Sequence, residues 1–364
     1  MIEMNIGSRK IGDGHPVFII AELSGNHHQK YEEAVELVKA AKKAGADAVK
    51  LQTYTPDTIT LNSDKEWFRV GGENNPVDWQ KKTLYQLYQI AYTPWEWQPK
   101  LKKLADELGI ILFSTPFDES AIDFLETINV PCYKIASYEV NDFLLLRKVA
   151  RTGKPVIISL GYASMEEAEF AIRTLRENGT KEIAALHCVS GYETDPDLAN
   201  MNLATIKDIA ERFQVISGFS DNNAGIGAPL IAAANGALVI EKHFILDRKS
   251  GGPDARFSLE PQEFKLMVEK LRAGNDDVDQ RKIKVALGKV HYGPVSATEE
   301  HNKRFRHSLF VSKDIKKGEK FTSENIRSVR PAFGLPTKHF DEIIGRVAAA
   351  DVEFGTPLNW DLIK

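Results

Sequence analysis

The chain of 364 residues is long enough for a barrel-sized domain of about 250 residues with a smaller unit beside it. Charged residues make up 27%, hydrophobic residues 43%, and the net charge is −4. That ordinary balance gives no footing for nucleic-acid binding or for a membrane surface, and it leaves small-molecule chemistry as the starting expectation.

In chain order, the opening residues MIEMNIGSRK lack the apolar run of a secretion signal. No later stretch approaches the roughly 18 apolar residues of a membrane span, so the chain reads as cytoplasmic. Short β-rich runs then recur, most of them followed by a helix-like segment. They are VFIIAE (17–22), AVKLQ (48–52), IILFSTP (110–116), CYKIAS (132–137), VIISLG (156–161), IAALHCVS (183–190), VISGFSD (215–221) and LVIEKHF (238–244). Between the first two lies YEEAVELVKAAKKAG, where Val35, Leu37, Val38 and Ala41 recur on one face and Gly45 is placed to cap the end. Cys132 and Cys188 fall inside apolar runs and read as two reduced core thiols, a disulfide between them being the other reading.

Eight apolar runs alternating with helices predict a parallel sheet covered on both faces, and the count favours a closed (β/α)₈ TIM barrel. No G-x-G-x-x-G follows the first strand, which removes the main support for a dinucleotide fold. Segment 53–95, with its aromatic YQLYQIAYTPWEW, is long for a connection and reads either as a lid or as a helix on the barrel exterior. The catalytic barrel is expected over 1–273 and a polar linker over 274–304. A small β-rich domain is expected over 305–364, where SLFVSKDIKKGEKF and AAADVEFGTPL repeat one theme of Asp, apolar residue, two-residue step and Gly.

Barrel chemistry sits at the C-terminal strand ends. Those ends carry Glu22, Lys50 with Gln52, Ser114, Lys134 with Ser137 and Glu139, Ser159, Ser190 with Tyr192, Ser220 with Asp221, and His243. Either lysine alone reads as one half of an ion pair. Both together, on neighbouring strand slots among serine hydroxyls, predict a site for a phosphorylated anion. His243 beside Asp221 and Asn222 would suit a divalent ion such as Mn²⁺ or Mg²⁺, although a lone histidine is more often a satisfied core residue.

These residues resemble the sialic acid synthase family, which condenses phosphoenolpyruvate with an N-acetylated hexose. AELSGNH, AVKLQTYTPDT, FSTPFDESAIDFLE, YKIASYE, LHCVSGY, GFSD, IEKHF and GGPDARFSLEP carry the match through the barrel. LFVSKDIKKGE, SVRPAFGLPTKH and GTPLNWDLI carry it through a C-terminal antifreeze-like (SAF) domain. LYQLYQIAYTPWEW, HYGP, FRHSLFV and NWDLI are similar to the pseudaminic acid synthase branch, whose sugar is a 2,4-diacetamido-2,4,6-trideoxy-altrose.

The resemblance implies that Lys50, Lys134, Ser137, Ser159, Ser190 and Ser220 bind phosphoenolpyruvate. It implies sugar contacts from Gln52, Tyr192, Glu139 and Asp254, with Glu22 as acid and base for the attacking water. Glu22, Glu139 and Asp254 form its catalytic carboxylates. His243 matches one of two metal-ligating histidines; Asn222 stands where the second belongs, so Asn222, Asp221 and His27 are alternatives for that place. Arg330 matches an arginine that reaches the sugar across a domain-swapped homodimer. The glycine expected after Arg-Pro is Ala332, a poor fit if that turn needs positive φ.

Overall fold

The computed structural model describes residues 2–71, 81–252, 254–274 and 279–364. Part of the long 53–95 segment and the start of the expected linker therefore lie outside the described residues. The chain opens with an antiparallel hairpin, β1 (Glu3–Ile6) and β2 (Arg9–Gly12). Met4, Ile6 and Ile11 from this hairpin are buried with the barrel core. Sequence reasoning missed it because each strand has only four residues, too few for a period to show.

Eight strands then close into a parallel barrel: β3 (Phe18–Glu22), β4 (Ala48–Thr53), β5 (Ile111–Pro116), β6 (Tyr133–Ile135), β7 (Val156–Ser159), β8 (Ile183–Val189), β9 (Ile216–Asp221) and β10 (Val239–His243). Strand β10 pairs with β3 to complete the circle. Each expected apolar run forms one of these strands. Nearly every residue in them is buried, because helices cover the outside while side chains fill the inside.

The helix Tyr31–Lys43 buries Ala34, Leu37, Val38 and Ala41 against the barrel. Gly45 ends it at φ +91°, and the Ala46 N–H returns to the Ala41 carbonyl at 3.1 Å. A residue with a side chain would be strained there, since the backbone is left-handed and an added Cβ would stand 2.9 Å from Val268. Cys132 and Cys188 are both buried free thiols.

The 274–304 stretch is not simply extended. It holds helices Gln280–Leu287 and Ala297–Asn302, and Ala286 and Glu299 are buried. In the SAF domain β11 (Ser308–Val311) pairs with β12 (Ile326–Val329) around a core that includes Leu309, Phe321, Ile343 and Val352. The repeated theme is visible as cross-pairing. Asp314 accepts from the Phe354 N–H at 2.7 Å, and Asp351 accepts from the Lys317 N–H at 2.8 Å. Each aspartate thus ties down the turn of the other copy.

Candidate active site

Strand register sets the site. Glu22 on β3 lies opposite Lys50 on β4, and Glu241 on β10 lies opposite Ser220 on β9. Because side chains alternate along a strand, Glu241 and His243 line a cavity of about 710 Å³ at the barrel mouth. Lys242, between them, forms a buried pair with Asp221 at 2.6 Å instead. The same alternation corrects two expectations. Ser114 bonds Thr53 at 2.6 Å away from the cavity, and Thr115 is the β5 hydroxyl that receives Lys50, at 3.3 Å. Asp221, held by Lys242 and Asn223, does not line the cavity.

Lys50 and Lys134 converge. Each ammonium stands 3.7 Å from the same oxygen, Glu241 Oε1, which also accepts from Ser220 at 3.2 Å. Lys134 donates to Ser159 at 2.7 Å, and Lys50 pairs closely with Glu22. Ser137, Ser159, Ser190 and Ser220 all line this floor. The approach is tight enough that a Cβ on Gly161 would come within 2.8 Å of Ser137 Oγ. Glu241 was assigned no role from sequence, although the alternation in VIEKH places it on the same face as His243.

The charges are coupled. Burial opposes the Lys50 ammonium, but Glu22 and Glu241 outweigh it and raise its pKa. Burial lowers Lys134, against the pull of Glu241 and with the repulsion of Lys50. Burial raises the Glu22 carboxyl, and Glu241 adds to that rise against the attraction of Lys50. An arriving anion must share both ammoniums with these carboxylates. Protonation of Glu22 would free Lys50 for it.

Above the floor, Gln52 donates to Glu22 at 3.0 Å and to Ser24 at 3.2 Å, and Ser24 in turn bonds Asp254. Tyr192 packs against Phe257 at 5.1 Å. Burial raises the Asp254 carboxyl and pushes the His243 imidazole well below its usual value, with Lys50 and Lys242 adding to the latter. His243 is therefore neutral. Its Nδ1 is buried without a hydrogen-bond partner, 4.0 Å from Asp254 Oδ2.

A neutral imidazole and a carboxylate facing one cavity fit a divalent ion. Among the described residues no three His, Cys, Asp or Glu side chains gather closely enough to hold one unaided. Asn222 lines the cavity beside them and donates to Ser190 at 2.8 Å. His27 does not take the second place: Nε2 meets Thr93 at 3.0 Å and Nδ1 accepts from the Gln29 N–H, with neither facing the cavity.

The SAF domain closes the mouth. Arg330 is buried, bonded to Glu139 Oε1 through Nη2 at 2.5 Å and Nε at 3.2 Å, and to the Tyr88 hydroxyl at 3.1 Å. Its guanidinium also lies over the rings of Tyr138 and Phe117. Ala332 is not in the left-handed region, so alanine fits that turn and Arg330 reaches the cavity. This arginine comes from the same chain. Glu139 does not line the cavity; it stands behind Arg330 and holds it. Of the 53–95 segment, Ile59, Val70 and the helix Leu84–Ala91 line the cavity, which makes this part a lid.

Residues 37–282 match the model of the NeuB family, and residues 306–364 match the SAF domain. The chain belongs to the NeuB family. It is 44% identical to a pseudaminic acid synthase of Campylobacter jejuni subsp. jejuni, covering 94% of this chain and 95% of that one. It is 42% identical to a pseudaminic acid synthase of Helicobacter pylori, over 96% of this chain and 98% of that one. The solved spore coat polysaccharide biosynthesis protein SpsE of Bacillus subtilis superposes with a TM-score of 0.81 at 32% identity, covering 100% of this chain and 99% of that one. This NeuB-family chain thus matches its relatives through both barrel and SAF domain, and no described helix is long and apolar enough to cross a membrane.

Proposed function

We propose that this chain joins phosphoenolpyruvate to the open-chain form of 2,4-diacetamido-2,4,6-trideoxy-altrose, giving a nonulosonic acid and inorganic phosphate. The observation that carries this is the convergence of Lys50 and Lys134 on one point of the barrel floor, 3.7 Å each from Glu241 Oε1. Two ammoniums within reach of one small molecule suit a donor bearing both a phosphate and a carboxylate. The likeness to proteins named pseudaminic acid synthase supports the choice of sugar. So does the apolar side of the cavity, where Ile59, Val70, Leu87 and Phe117 would cover a deoxy methyl group.

In this reading Lys50 and Lys134, with Ser137, Ser159, Ser190 and Ser220, hold the donor with its methylene carbon facing the sugar aldehyde. Gln52, Tyr192, Asp254 and Arg330 hold the sugar, and lid and SAF domain exclude bulk water. The methylene carbon attacks the aldehyde carbon, leaving positive charge on the donor's C–O carbon. Glu22 takes a proton from the water that adds there, and the alkoxide left on the former aldehyde carbon takes up a proton to become a hydroxyl. The added hydroxyl then loses its proton to become the keto group as the C–O bond to phosphate breaks. Mn²⁺ or Mg²⁺ would be held by His243 with Asp254 and the Asn222 amide; the chemistry such an ion supplies is Lewis-acid polarisation of a carbonyl oxygen.

The reaction is assigned to the cytoplasm, where thiols such as Cys132 and Cys188 stay reduced. The working unit is assigned as a domain-swapped homodimer on the family resemblance alone. Within one chain Arg330 of the SAF domain already pairs with Glu139 of its own barrel, and a swap would exchange that contact between protomers. Light scattering would return twice the chain mass. The activity test is mass spectrometry of products from phosphoenolpyruvate with altrose-, mannosamine- and legionaminate-type sugars, with and without Mn²⁺. A product from the altrose sugar supports the proposal. Turnover of only an N-acetylmannosamine-type sugar would make the chain a sialic or legionaminic acid synthase. No phosphate release under any metal would make it a sugar-binding relative impaired at Asn222.

A further inference from the structure

The helix Ala297–Asn302 is short and polar, yet Glu299 on it is only 3% exposed. Its two oxygens are spent on backbone donors from different parts of the chain. Oε1 accepts from the Ser190 N–H at 2.7 Å, and Oε2 accepts from the Val295 N–H at 2.8 Å. Burial raises its carboxyl, and the two N–H groups oppose that rise. Among the described residues no ammonium or guanidinium pairs with it. The carboxylate is thus held by main-chain dipoles, as a staple between the 280–302 stretch and the exit of β8.

What lies at the other end of the staple is the loop carrying Ser190 and Tyr192. Tyr192 sits at φ 52°, an unfavourable backbone for a residue with a side chain, so surrounding contacts must hold it. Asn223 grips the loop through the Glu193 N–H at 3.1 Å, and Glu299 grips it through Ser190. The same short helix presents Thr298, His301 and Asn302 to the cavity mouth and leads directly into the SAF domain.

We infer that Glu299 is a positioning residue of the active site, one that fixes Ser190 and Tyr192 and ties their placement to the seating of the SAF domain. This rests on reading Ser190 as a donor contact and Tyr192 as a sugar contact. A carboxylate accepts from both N–H groups; Glu299→Gln keeps one acceptor and turns an NH₂ toward the other donor.

The test is Glu299→Gln in the full chain, read by substrate KM values and by amide hydrogen exchange over 188–193. The expected result is a KM for phosphoenolpyruvate about tenfold higher, a higher sugar KM, and exchange over 188–193 about tenfold faster while the remaining strands keep their protection. Glu299→Asp, still charged but one methylene shorter, should give smaller shifts in both readouts. It serves if the glutamine variant does not fold. Unchanged exchange over 188–193 overturns the inference whatever the turnover, and so does faster exchange with unchanged KM values. A wild-type chain that turns over no sugar would defeat the substrate reading alone; the exchange measurement and a phosphoenolpyruvate titration still judge Glu299.

Discussion

Lys134 lies wholly inside the barrel, and burial together with the nearby Lys50 draws its ammonium below the ordinary lysine value, against the pull of Glu241. A base with a lowered pKa loses its proton at lower pH, so its attraction for an anion fades sooner as pH rises. The KM for phosphoenolpyruvate should therefore climb on an alkaline limb whose midpoint lies below the usual lysine pKa of about 10.4. Steady-state kinetics between pH 7 and 10 would show that limb; a flat profile would mean that Lys134 does not carry the donor. Most such residues were legible in the sequence because a charged side chain at the end of an apolar strand run is conspicuous. Glu241 and Thr115 were not singled out, since deciding which strand residues face inward requires the register. The resemblance implies that Glu139 meets the sugar; in the fold its carboxylate pairs with Arg330, a contact the sequence alone does not reveal. Only the fold brings together two residues 191 apart.

At the scale of elements, the eight barrel strands were readable because fully buried parallel strands are nearly continuous apolar runs. The helix Ala297–Asn302 was not, because a six-residue polar helix has no face long enough to show a period. The lid helix Leu84–Ala91 begins with a capping box. Thr83 Oγ1 accepts from the Gln86 N–H at 3.3 Å, and Gln86 Oε1 accepts from the Thr83 N–H at 3.0 Å. Thr83→Ala removes the cap at a cost of about 1 kcal/mol to the helix. Since Leu87 and Tyr88 line the cavity on the apolar side while the lysines lie on the floor, the KM for the sugar should rise about fivefold, the factor that 1 kcal/mol implies. The KM for phosphoenolpyruvate should stay put. Movement of the donor KM instead would place the lid over the wrong substrate.

The whole molecule is a barrel whose open end is finished by sequence far downstream. Thr60 donates to the Arg330 carbonyl at 2.8 Å, Trp67 donates to the Gly355 carbonyl at 2.7 Å, and Arg306 pairs with Glu167 at 2.8 Å. These contacts join lid, barrel and SAF domain around Arg330. Arg330→Lys keeps the charge but loses the planar fork that engages Glu139 twice and Tyr88 once. The exchange should cost the junction about 2 kcal/mol, seen as a lower melting temperature, together with at least a tenfold rise in sugar KM. Wild-type behaviour in both would remove Arg330 from the site. The two SAF copies were legible as a repeat, but their mutual aspartate ties, like the junction itself, depend on contacts between distant stretches that carry no local pattern.

All of this depends on the donor sitting between two ammoniums that belong to different strands. Isothermal titration with phosphoenolpyruvate measures that directly, using the wild-type chain, Lys50→Met and Lys134→Met. Binding by the wild type and a loss of about a hundredfold in affinity in each variant is the predicted result, since each substitution removes one charge-assisted contact from a buried anion. Wild-type affinity in either variant would contradict the account.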